Sequence, residues 1–272
     1  MAAPLPSRIT VDIGSRRWTT VDAGRTWTES ARPAPPVVEW DGVRFDQHVI
    51  GEEGLGLASA VDAALDPDRP RALLFLTRDG GASWASVAPA LSFLERLRAS
   101  AGWPPEEIHS LAVHPGGLAA FTWEDPWLHD GPRSHLVVST DGGESWRYAR
   151  VPSGCIWLAA SGDGLLRAFG FRELASTADA GRSIQTAKVA VSWPELPPRP
   201  ERLLGLVRHV HMSSASEGVG LVLCQEDDLE SPLVGLACSD DRARTWTVVR
   251  TWPTARDRDL NARGLLALTI PR

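Results

Sequence analysis

Ser139-Thr140-Asp141-Gly142-Gly143-Glu144-Ser145-Trp146 recurs, with variations, along the whole chain. The carboxylate of Asp141 can accept hydrogen bonds from backbone N–H groups a few residues on, closing a turn without help from a neighbouring strand. Gly142 and Gly143 supply positive φ at little cost. The hydroxyls of Ser139 and Ser145 can tie the two sides of the loop together, and Trp146 offers a large ring to bury between sheets. These eight residues therefore read as a self-closing turn between two strands and not as an active site.

Two complete copies precede it, Thr20-Val21-Asp22-Ala23-Gly24-Arg25-Thr26-Trp27 and Thr77-Arg78-Asp79-Gly80-Gly81-Ala82-Ser83-Trp84. Two worn copies follow. Thr177 to Ile184 keeps Asp179, Gly181 and Ser183 but ends in Ile184; Ser239 to Trp246 keeps Asp241, Thr245 and Trp246 but places Ala243 where glycine belongs. Together they resemble the Asp-boxes (S/T-x-D-x-G-x-S/T-W) of bacterial neuraminidase repeats. Such boxes occur in sialidases, sortilin-type receptors and propeller-type photosystem II assembly factors, so the resemblance implies a β-propeller.

The turn aspartates at 22, 79, 141, 179 and 241 are 57, 62, 38 and 62 residues apart. Each step fits one four-stranded blade of roughly 40 to 50 residues, with or without loop insertions. Each also holds one earlier pair of apolar strands around a turn: 48–51 with 55–58, 109–112 with 118–121, 157–160 with 165–168, and 211–214 with 219–222. One pair per step predicts a single all-β domain over 1–272, a five-bladed propeller, with six blades as the alternative. Residues 8–20 read as the third-strand region of the first blade. Residues 264–270 are then expected to supply one of its missing inner strands, so that both termini close the ring and hide sheet edges. Proline-rich links at 32–36 and 194–200, a short amphipathic helix over 88–101, an insert at 124–135 and an acidic run at 226–230 are expected between these strands.

Composition narrows the partners. The formal net charge is −6, with no basic run, which argues against nucleic acid. No apolar run approaches the roughly 18 residues that span a membrane. The N-terminus has neither a basic head nor an apolar stretch, so a cytoplasmic location is expected. Cys155, Cys224 and Cys238 lack metal-ligand or disulfide-framework spacing and read as small core residues. Lys188 is the only lysine among 28 basic residues, a bias that fits a GC-rich genome or, as the alternative, a preference for bidentate recognition of carboxylates.

The turn carboxylates Asp22, Asp79, Asp141, Asp179 and Asp241 are wanted for turn closure and read as structural. The sialidase resemblance implies a tyrosine nucleophile, a carboxylate acid/base, an arginine cluster and an Arg-Ile-Pro motif. Here the only tyrosine, Tyr148, lies two residues past a turn tryptophan on an outer strand, and Arg8-Ile9-Thr10 lacks the proline. Sialidase activity is therefore not expected. The assembly-factor resemblance, carried by Ser216-Glu217-Gly218-Val219-Gly220-Leu221, implies binding of a protein partner.

His48, His109 and His211 fall at matching places near the starts of inner strands, with Trp157 in the fourth. His209 lies two residues before His211, on the same side of a regular strand. Trp127 and His129 of the long insert are expected to lean over the same mouth. Such a mouth suits a peptide or a sugar. The expected function is non-catalytic: a peptide or protein segment held in the propeller funnel, without a cofactor, in an assembly or biosynthetic role. The alternative is a glycan-directed or histidine-centred enzyme at the funnel mouth, with zinc on His48, His109 and His211 as one version.

Overall fold

Each aspartate turn joins two antiparallel strands, and each such pair extends into a meander. The computed structural model describes residues 5–33, 37–62, 71–87, 108–114, 117–125, 133–161, 164–170, 172–193, 204–214, 216–225, 233–253 and 266–270. Five sheets follow the turns. They are β23-β1-β2-β3 (Leu266–Thr269, Ile9–Ile13, Arg16–Thr20, Thr28–Ala31) and β6-β7-β8-β9 (Gln47–Ile50, Gly56–Asp62, Arg71–Thr77, Ala85–Ser86). Next come β10-β11-β12-β13 (Ser110–His114, Leu118–Asp125, Arg133–Ser139, Arg147–Val151) and β14-β15-β16-β17 (Trp157–Ala160, Leu166–Phe169, Glu173–Thr177, Gln185–Lys188). The fifth is β19-β20-β21-β22 (Leu204–Met212, Gly218–Gln225, Leu233–Ser239, Thr245–Pro253), with β18 (Ala190–Ser192) added to its outer edge. The fold class is a five-bladed β-propeller, as the turn spacing predicts, and the six-bladed alternative falls away. No helix occurs among the described residues, and none is long and apolar enough to cross a membrane. The expected helix over 88–101 and the acidic run at 226–230 lie outside the described residues, as does the proline-rich link at 194–200.

The chain divides into two units. The first comprises Met1–Pro35, Phe171–Leu174 and Ala187–Arg272. In it the two ends of the chain share a sheet: β23 pairs antiparallel with β1, Thr10 opposite Thr269 through Ile13 opposite Leu266. The sequence reading is corrected in one respect. β1 is the second strand and β2 the third, so only one inner strand was missing, and β23 is that strand. Ile9 and Val11 are fully buried beside it. Asp12, also buried, is held bidentately by Arg17 on β2 at 2.7 and 2.8 Å. β18 runs parallel to β22, an edge addition that the sequence did not announce.

The second unit comprises Pro36–Gly170 and Ala175–Thr186. Middle strands of its blades are covered on both faces, so Leu57, Ala58, Ser59 and Ala60 of β7 are all buried; outer strands alternate, as in β13, where Ala149 and Val151 are buried and Arg147 and Arg150 exposed. One core cluster joins Leu57, Leu74 and Leu76 to Phe121, Trp123 and Val137. A second joins Leu136 and Val138 to Leu158, Leu166 and Ala168. A small hairpin, β4 (Glu39–Trp40) and β5 (Val43–Arg44), precedes β6. Its two-residue turn takes positive φ at Asp41 and Gly42, the geometry that an Asp-Gly hairpin favours. Trp40 and Val43 pack with Phe45 around Trp84.

Candidate functional site

The five aspartates come first, because carboxylates in series invite a catalytic reading. Around Asp141, Oδ1 accepts from the Ser139 hydroxyl at 2.8 Å and from the Ser145 amide at 2.9 Å, and Oδ2 accepts from the Ser145 hydroxyl. The Ser139 hydroxyl accepts in turn from the Gly143 amide at 2.7 Å. The same bonds recur around Asp22, Asp79 and Asp179. Asp241 repeats the three carboxylate bonds and adds the Arg244 amide. The first hydroxyl of each turn, on Thr20, Thr77, Ser139, Thr177 or Ser239, is buried, and the turn supplies it with partners.

These donors stabilise the ionised form. Hydroxyl and amide hydrogen bonds from residue 26, 83, 145 or 183 hold Asp22, Asp79, Asp141 and Asp179 at a pKa of about 2. Burial pushes Asp241 upward, but the bonds from Thr245, Ser239 and Arg244 outweigh it and the pKa is lowered. A carboxyl so acidic, with both oxygens engaged, holds no proton to give at neutral pH.

Between the blades of the second unit, the inner strands are stitched side by side. Gln47 Nε2 on β6 donates to the carbonyl of Ile108 at 2.9 Å, and the amide of Leu158 on β14 donates to the hydroxyl of Ser110 on β10 at 3.0 Å. The Thr122 hydroxyl on β11 donates to the carbonyl of Ile156. His48, His109 and Trp157 each adjoin one of these bonded residues. His48 is exposed; His109 and Trp157 are half-buried. Of these three predicted residues, His48 lies on β6, His109 directly before β10 and Trp157 on β14.

His209 and His211 belong to β19 of the first unit. His211 lies near the end of β19 in the first unit, not near its start. The register of β19 against β20 shifts between Arg208 and His211, and His209 takes φ 47. The extra residue of this bulge breaks the period of two, so the regular alternation expected to put His209 and His211 on one side does not hold. Nor are the offsets identical. Ile50, Val113 and Met212 stand in line with the turn hydroxyls of their own blades, and His48, His109 and His211 precede them by two, four and one residues. Spacing to an apolar run cannot resolve such differences, because strand starts vary by several residues. Trp127 and His129 lie outside the described residues. Among the described residues, no group of three or more His, Cys, Asp or Glu side chains is placed to hold a metal ion.

One arrangement was missed. The Tyr148 hydroxyl on β13 and Nδ1 of His135 on β12 share a hydrogen bond at 2.6 Å, with the two rings stacked and Trp123 of β11 against the imidazole. His135 and Trp123 are each 3% exposed. The signal was available: a turn over 139–146 sets Val138 opposite Arg147, hence Val137 opposite Tyr148 and His135 opposite Arg150. His135 and Tyr148 are then diagonal neighbours on one face.

The sequence matches no family model, and no curated protein matches it. Solved structures do resemble it. One is a protein of unknown function from Dyadobacter fermentans DSM 18053, with TM-score 0.49 and 14% identity, covering 94% of this chain and 85% of that one. Another is a GH43 endo-arabinanase from Bacillus licheniformis, with TM-score 0.44 and 10% identity over 77% and 76% of the two chains. A third is an α-L-arabinanase from Penicillium chrysogenum solved with arabinobiose, with TM-score 0.39 and 15% identity over 86% and 72%. At such identities the likeness concerns fold alone.

Proposed function

We propose that the chain is a non-catalytic binding protein that holds a peptide or protein segment at the ends of the inner strands of its second unit. The observation behind this is the pair of bonds from Gln47 to Ile108 and from Leu158 to Ser110, which fix β6, β10 and β14 side by side. On this reading His48, His109 and Trp157 form one rigid row of hydrogen-bonding and stacking groups. The aspartate turns, with the Asp-box resemblance they carry, belong to the scaffold. Their carboxylates are engaged within the turns, which leaves no acid in that series for catalysis. Location in the cytoplasm is part of the same proposal.

Selection of binders from a random-peptide display library tests it. Wild-type protein is expected to enrich a peptide family, and the His48→Ala, His109→Ala, Trp157→Ala triple variant, shown folded by its melting curve, is expected to lose it. Full retention by the folded variant overturns the assignment of the surface.

A second reading, a histidine-centred enzyme, has the Tyr148–His135 bond behind it. An imidazole and a phenol within hydrogen-bond distance can exchange a proton. Turnover in a panel of glycans that disappears in Tyr148→Phe and is untouched in the triple variant would favour this reading over binding.

A further inference from the structure

We propose that Arg250, seated against Trp27 and Trp252 in the first unit, is a receptor for a single carboxylate of a bound peptide. The guanidinium carbon lies 5.3 Å from the ring centroids of both tryptophans. The two indoles meet edge to face at 82°, and Trp18 stands behind Trp252 with ring centroids 5.8 Å apart. Cation–π contact with two rings fixes the position of the charge and removes water from its faces.

Two donors of the cluster are unused. Nε of Arg250 is buried with no hydrogen-bond partner. Nε1 of Trp252 is likewise buried without a partner. Arginine and indole are donors only, so neither can satisfy the other. A desolvated donor without an acceptor is costly, and two in one cluster call for an acceptor from outside. A carboxylate is planar and accepts from the arginine fork bidentately, and it can accept from an indole N–H at the ring edge. With Arg250 the cation placed against these rings among the described residues and a net charge of −6 on the chain, a polyanion is disfavoured against a single carboxylate.

The backbone is shaped for this. The register of β22 against β21 shifts between Leu236 and Ala237, so that Leu236 faces Arg250 while Ala237 faces Val248, and Val249 is the extra residue. In an unbroken strand Val248 and Arg250 would share a face. The bulge separates them: Val248 packs at Gly235, and Arg250 joins Trp252 against Trp27. Bulges that re-aim one side chain are recurrent devices at binding sites.

The inference rests on the reading of the chain as a peptide binder, but it uses none of the residues His48, His109 and Trp157. Nitrogen-15 spectra of the full chain offer twelve indole signals, and that of Trp252 is assigned by its loss in Trp252→Phe. Two probes separate the sources of the carboxylate: a blocked glutamyl peptide amide, and an uncharged peptide with a free C-terminus. At least one is expected to move the Trp252 signal saturably, with about tenfold weaker binding in Arg250→Lys, which keeps the charge and loses the fork. No saturable shift with either peptide, equal binding of inorganic sulfate, or undiminished binding in Arg250→Lys overturns the proposal. None of these results touches the display selection, so the two readings fail separately.

Discussion

The indole N–H of Trp246 donates to the carbonyl oxygen of Ala243 at 3.0 Å, and Ala243 holds φ 65. The same bond joins Trp27 to Gly24 and Trp146 to Gly143. A non-glycine residue therefore keeps the left-handed conformation of this turn when its carbonyl is capped and its methyl group has room. The room is what varies between turns, and it sets the first prediction.

Gly142 and Gly143 both have positive φ, but their surroundings differ. A Cβ on Gly143 would come within 2.8 Å of Leu76, whereas one on Gly142 meets only Arg78 Nε at 3.9 Å. Alanines at the position equivalent to Gly142 already hold φ 56 and 57, at Ala23 and Ala180. Gly143→Ala is expected to cost about 2–4 kcal/mol from strain and overpacking together. Gly142→Ala should cost no more than about 1 kcal/mol. Urea denaturation of the two variants checks this; equal losses would refute the packing argument.

Acid should weaken the turns before it affects anything else in them. The folded pKa of about 2 for Asp22, Asp79, Asp141 and Asp179 lies below the ordinary 3.8. A depressed carboxylate pKa contributes stability above the unfolded pKa and loses it as pH falls toward the folded one. The melting temperature is therefore expected to fall steeply between about pH 4 and pH 2. Asp141→Asn should lower the melting temperature at pH 7 and flatten that slope; a slope identical to wild type would show that Asp141 contributes nothing to it.

Removing residues 264–272 deletes β23 and exposes the edge of β1, on which Ile9 and Val11 are buried. The expected loss is a large share of a typical margin of about 5–15 kcal/mol. A truncated chain that melts within a degree or two of full length would show that pairing of the termini is dispensable.

Cys238 should be inert in the folded chain. Burial, with Asp240 adding to it, pushes its pKa up to about 11, and Cys155 is wholly buried. Since the thiolate is the reactive form, both should resist a disulfide reagent at pH 8 until the chain unfolds. The Cys224→Ser variant isolates these two thiols, and rapid native labelling would contradict their placement.

What the sequence carried was local. An Asx-type turn closes with atoms only two to four residues apart, so five copies announced five blades and the register of each outer hairpin, and the apolar tail announced the strand that pairs with β1. That register even contained the contact between His135 and Tyr148. The remainder depended on strands far apart in sequence. Whether His211 sits at the start or the end of β19, how Gln47 meets Ile108 across sixty-one residues, and how the bulge at Val249 turns Arg250 onto Trp27 are settled by packing between blades, and neither the turn nor the periodicity encodes it. Turn chemistry is short-ranged and repeats; side-chain sites on a propeller arise where different blades meet, and only the tertiary structure decides those meetings.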